Sequence, residues 1–139
     1  MKYLYTKHHF IRHLPVYPVI YPAFIFILLL DIWTEIYHRV AFPCYGMPYV
    51  KRRKYIKVDR HKLKYLNPMQ KLNCLYCGYA NGVLQYMVKI LAETEKYWCG
   101  IQHKRNNDFS PPEHHKEFIP YGNKEAYLTE FENKKTRMI

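Results

Sequence analysis

Cys74, Cys77, Cys99 and His103 constrain this chain more than any other four residues. They read Cys-x2-Cys, then an amphipathic stretch, then Cys-x3-His. Two thiolates two residues apart reach one ion from a tight turn, and a cysteine and a histidine four apart reach it from a turn of helix. Three sulfurs and one nitrogen fill a tetrahedral site and leave no position for a substrate. The pattern predicts a small domain stapled by a structural metal, not a reaction. Zinc is the expected ion and iron the alternative.

The distribution of apolar residues explains why a staple would be needed. The chain has 139 residues, 49% of them hydrophobic, but Pro15 to Leu30 contains no charge while Arg39 to Lys71 is crowded with Lys and Arg. What remains is short and hydrophilic, and would struggle to bury enough surface for a core of its own. Cys44 stands apart in a Pro-Cys-Tyr-Gly loop and reads as a free thiol. Cys74 and Cys77 are too close for an ordinary structural disulfide, so the cluster is expected reduced and metal-bound.

The apolar run sets the second constraint. Pro15, Pro18 and Pro22 suit the first turn of a helix, which is expected from near Pro22 to about Val40, on the order of 28 Å long and close to a hydrocarbon core. Within it Asp31, Glu35 and His38 share one face at helical spacing. A carboxylate near the bilayer centre costs about 2.5–3.5 kcal/mol on insertion scales, so such groups turn to protein, water or a metal. Three accounts follow in order of preference: a spanning helix with its carboxylates near the exit interface, a half-inserted helix, or the core helix of a soluble protein. Glu35-x2-His38 also matches half of the carboxylate-histidine motif of di-iron bundles, which needs two copies. The plain alternative is a polar cap at the interface.

Net charge is +11, with 22 basic and 11 acidic residues. That favours an anionic partner: lipid surface, nucleic acid or phosphorylated ligand. Lys2, Lys7 and Arg12 precede the apolar run, and Arg39, Lys51, Arg52, Arg53, Lys54, Lys57 and Arg60 follow it. The heavier side is expected in the cytoplasm.

Four regions result: residues 1–42 with a membrane-associated helix over about 16–40, a basic connector 43–66, a Cys3His domain 67–122, and a tail 123–139. The fold class is mainly α with little or no sheet, though Tyr49–Val58 reads as a short strand or extended basic arm. Asp59 is placed to cap a short helix through Leu66. Asn67, Pro68 and Gln70 are N-cap, first and third residues of another. Gly78 relieves crowding at a Cys74–Cys77 knuckle, and Gly82 opens a helix reaching Trp98. Its expected buried stripe is Val83, Leu84, Met87, Ile90, Leu91 and Trp98, with Gly100 as its stop. His8, His9 and His13 read as interfacial, and the adjacent His114 and His115 as surface residues.

Cys74-x2-Cys77-Gly78-Tyr79 is similar to the first knuckle of rubredoxins. Cys99-x3-His103 departs from their second, which weighs against an iron electron carrier. The block from Lys71 to His103, with Asp-Ile-Trp-Thr-Glu-Ile-Tyr-His-Arg upstream, resembles a family of small uncharacterised bacterial membrane-associated proteins. The resemblance implies one integrated architecture at a bacterial inner membrane, single-pass or monotopic, and supplies no activity. The leading functional expectation is a non-enzymatic anchored module that presents a basic, aromatic surface to a protein or lipid partner. One alternative is a membrane-proximal metalloenzyme acting on a lipid-linked substrate through Asp31, Glu35 and His38, with His61 or His114 as a further candidate. The other is a nucleic-acid-binding zinc module.

Overall fold

The computed structural model describes residues 11–12 and 14–137; His8, His9 and His13 lie outside them. The chain is mainly helical, and the described residues contain no strand. Among the described residues, beyond helical Ile11 and Arg12, come α1 (Tyr17–Cys44), α2 (Pro68–Trp98) and α3 (Lys124–Arg137) in order. Two compact units divide between Lys89 and Ile90, inside α2.

In the first unit α1 starts before Pro22 and ends after Val40, with Pro18 in its first turn. The helical stretch Leu14–Cys44 is long and apolar enough to cross a membrane, and only 6% of its most apolar 18-residue window is buried. The side it buries is the polar one. Asp31, Thr34 and His38 are buried with Ala41 and Phe42, whereas Ile25, Phe26, Leu29, Ile32, Trp33, Ile36 and Val40 are exposed. At Cys44 the chain turns through Gly46, whose φ of 65° favours glycine.

The connector, expected as a short strand or an extended arm, runs back beside α1 without forming a strand. Residues 47–51 are irregular, and Arg52–Lys54 and Arg60–Lys62 are single 3-10 turns. Asp59 precedes the second turn but makes no side-chain cap. This return sets α1 and the first half of α2 parallel. Phe24 meets Tyr76 and Tyr79, and further along Glu35 and His38 meet Tyr86.

α2 opens with the expected reciprocal cap. Asn67 N donates to Gln70 Oε1 at 3.0 Å, and Gln70 N donates to Asn67 Oδ1 at 2.8 Å. The helix then continues through Cys74–Gly78, where a knuckle was expected. Gly78 and Gly82 have another purpose, because they lie where the connector crosses the helix. A Cβ on Gly82 would sit 2.8 Å from Ile56 Cα and 2.9 Å from the Tyr55 carbonyl oxygen. One on Gly78 would sit 3.3 Å from Arg60 Nη2 and 3.5 Å from the Lys57 carbonyl. Four residues apart, the two glycines form one notch on one helix face. The buried stripe is also rotated from expectation: Val83, Tyr86 and Ile90 are buried, but Leu84, Leu91 and Trp98 are exposed.

In the second unit Gly100, at φ 61°, ends α2 as expected. Cys99 N and Gly100 N both donate to the Glu95 carbonyl, at 2.8 and 3.0 Å. The chain leaving the helix pairs with the segment before α3. Ile119 N donates to the Gly100 carbonyl and Gln102 N to the Ile119 carbonyl, each at 2.8 Å. Between them Pro112 leads into a 3-10 turn, Glu113–Glu117, whose His115 and following Phe118 are buried.

Candidate functional site

Two constellations of chemically able side chains form, one in each unit. In the first, the predicted trio Asp31, Glu35 and His38 does share a helix face, and groups outside α1 meet each member. Arg52 makes a charge-assisted hydrogen bond to Asp31 Oδ2, and Tyr79 donates its hydroxyl to the same oxygen at 2.5 Å. Glu35 pairs with Arg39 at 3.1 Å, and Arg52 Nε stands 3.9 Å from it, an ion pair without a hydrogen bond. Two carboxylates thus face two guanidiniums, and the cluster is formally neutral.

The hydrogen bonds around His38 have one direction. Val50 N donates to His38 Nε2 at 3.1 Å, so that nitrogen is an acceptor and the proton of a neutral ring sits on Nδ1. Nδ1 is 2.8 Å from the Tyr86 hydroxyl and donates to it, and the Tyr86 hydroxyl in turn donates to Glu35 Oε1 at 2.9 Å. Phe42 and Tyr49 hold the ring, with centroids 4.4 and 4.3 Å away. Burial first, and then the Asp31 carboxylate, push the Tyr79 hydroxyl up to about 12. Burial and Glu35 push Tyr86 up further still. Neither tyrosine is an acid at neutral pH. Each holds a carboxylate in place.

The predicted Cys3His set is divided between the units. Cys74 and Cys77 lie one turn apart within α2 in the first; Cys99 and His103 follow α2 in the second, and all four cysteines are free. Within the second unit Glu95, His103 and His115 form a metal-capable group, each offering a ligand atom within 4.8 Å of the others. His115 is no surface residue: Nε2 faces Glu95 Oε1 and Oε2 at 3.2 and 3.3 Å, and Nδ1 is buried without a hydrogen-bond partner. His114 is half-buried, with Nε2 2.9 Å from Glu95 Oε2. Burial alone would raise the Glu95 carboxyl, but hydrogen bonds from His114 and His115 outweigh it and hold the carboxyl below its usual range.

Local structure explains this convergence. The glycine stop at the end of α2 and the pairing of residues 100–102 with 118–119 return the chain toward Glu95. Gln102 Nε2 donates to the His115 and Phe118 carbonyls at 2.9 and 3.1 Å, fixing the turn that carries both histidines. The His115 ring stacks on Phe118, with centroids 5.0 Å apart.

Sequence reasoning missed Arg52, Tyr79, Tyr86, Glu95 and His115. Arg52 was one of a run of surface cations, and the tyrosines carried no spacing signal. Glu95 stands four residues before Cys99 and eight before His103, a helical progression that could have drawn it in. Comparison with family models, curated proteins and solved structures finds no match to this chain.

Proposed function

We propose that the protein is a non-enzymatic membrane-inserted module, with the outer face of α1 in lipid and the basic connector against anionic headgroups on the cytoplasmic side. The observation that carries this is the inverted helix, which hides Asp31 and His38 and exposes Phe26 and Trp33. A chain folding only against water gains roughly 1.5–3 kcal/mol for each large apolar side chain it buries, and would turn α1 the other way. In lipid the preference reverses, because an unpartnered carboxylate is the costly group and an exposed Phe is not. The neutral Asp31–Glu35–Arg39–Arg52 cluster is the compensation that such a helix needs.

Beyond α1, Lys51, Arg53, Lys54, Lys57, Arg60, Lys62 and Lys64 are exposed. Against an anionic leaflet each is worth about 1 kcal/mol. The enzyme reading of Asp31, Glu35 and His38 is weaker, since each is engaged by a protein group and the described residues form no metal-capable group there. A nucleic-acid role is weaker too, because it gives no account of the apolar face.

The test is reconstitution of the full chain into vesicles. The wild type should resist extraction by high salt, while a Phe26→Lys/Trp33→Lys variant should become extractable. Charge reversal at Lys51, Arg53 and Lys54 should weaken binding to vesicles containing phosphatidylglycerol and leave neutral vesicles unaffected. A wild-type chain that stays monodisperse without detergent and leaves vesicles in salt would overturn the proposal.

A further inference from the structure

We propose that Glu95, His103 and His115 form a binding site for a divalent transition-metal ion of the zinc class. It lies wholly in the second unit and does not depend on α1 being in a membrane.

The donor set carries the inference first. Two imidazoles and one carboxylate suit zinc and its neighbours, whereas magnesium and calcium ask for more oxygens and copper(I) for sulfur. Three protein ligands also leave a coordination position open to water or to an added ligand, unlike a closed Cys3His staple. Spacing carries it next. Bonds of about 2.0–2.1 Å in a tetrahedral arrangement separate ligand atoms by about 3.3 Å. His115 Nε2 already stands 3.2 and 3.3 Å from the two Glu95 oxygens. His103 is the ligand that must close in from within 4.8 Å. It is exposed and on irregular backbone just past the paired residues 100–102, so a small rotation suffices.

The surroundings give independent support. His115 is buried, yet its Nδ1 has no partner, and a buried group left unpaired costs about 1–3 kcal/mol. Because no described group claims Nδ1, the ring is free to carry its proton there and turn the Nε2 lone pair toward Glu95 and an ion. The nearby lysines are engaged elsewhere: Lys96 is paired with Glu117 at 2.6 Å and Lys116 with Glu113 at 3.1 Å. His114 donates to the carboxylate, orienting it as the partners of metal ligands do.

Cobalt(II) is the probe, titrated into the full chain in detergent after chelation. One ion per chain should bind with ligand-field bands and no thiolate charge-transfer band, and zinc should displace it. His103→Ala, which alters an exposed side chain and should leave the far-ultraviolet circular dichroism unchanged, should weaken binding by more than about a hundredfold, and Glu95→Gln likewise. His114→Ala should weaken it by about 10–100-fold. Serine at Cys74, Cys77 and Cys99 together should change nothing. A thiolate band that those serines abolish would give the ion to the cysteines and overturn the proposal. Equal affinity in wild type and His103→Ala, or no saturable binding, would overturn it as well.

Discussion

The two units use the same side-chain types to opposite ends. Around Asp31 and Glu35, carboxylates meet guanidiniums and tyrosine hydroxyls, groups that neutralise or hydrogen-bond an anion but cannot share a metal with it. Around Glu95, one carboxylate meets the imidazoles of His114 and His115, with His103 within 4.8 Å as a further nitrogen ligand. The difference lies in what else can enter. The first cluster is matched in charge, though Asp31 Oδ1 and Arg52 Nε lack hydrogen-bond partners, and removing one member leaves the rest exposed to their own desolvation. A carboxylate among imidazoles, which accept a metal through a ring nitrogen, still has room for a cation. Buried polar residues alone therefore do not mark a site; the chemistry of their partners does.

The sharpest way to break this contrast is to unmatch the first cluster. Arg52→Ala leaves Asp31 buried without its cation, a loss of about 3–5 kcal/mol for a wholly buried pair. Arg52 itself is 39% exposed, so water recovers part of this and about 3 kcal/mol is expected. Denaturant unfolding in detergent reads it. The double variant Asp31→Ala/Arg52→Ala should lose clearly less than the sum of its singles. Strict additivity would mean that the cluster is not a unit.

A somewhat smaller effect tests how the connector is held over that cluster. Gly82→Ala pushes a methyl against Ile56 Cα and the Tyr55 carbonyl, both backbone atoms that cannot rotate away. Overpacking of this kind costs about 1–3 kcal/mol. Gly78→Ala meets its nearest atom at 3.3 Å, the end of the flexible Arg60 side chain, and should be nearly neutral. Equal destabilisation by both in the same unfolding assay would break the notch reading.

These glycines also show what the sequence conveys and what it hides. Asn67–Pro68–Gln70 and Gly100 were legible because caps and stops are local: the residues that satisfy the free backbone groups are three or four positions away. The shared face of Asp31, Glu35 and His38 was legible for the same reason. The knuckle was misread because Cys-x2-Cys is also helical spacing, and glycine after it fits a turn or a close crossing equally well. Only the chain at Tyr55–Arg60, far off in sequence, decides between them. Likewise, adjacent side chains such as His114 and His115 diverge on regular backbone. Here a 3-10 turn after Pro112 lets both reach one carboxylate. Nothing near them in sequence announces Glu95.

The smallest expected effect concerns protons rather than charges. Tyr79 keeps its proton up to about 12 in the folded chain, against 10 for the ordinary residue. Its folded value is the higher one, so it contributes stability fully below pH 10, and that contribution is lost as pH rises from 10 toward 12. Tyr79→Phe removes a hydrogen bond to a carboxylate that Arg52 still holds, so at neutral pH it should cost only about 1 kcal/mol. Above pH 10 the gap between wild type and variant should narrow and then close, because a tyrosinate beside Asp31 is worse than a phenyl ring. Tyrosinate absorbance followed alongside unfolding measures both. A gap that stays constant from pH 8 to 12 would mean that Tyr79 titrates in water, and that the first cluster is less closed than its partners make it.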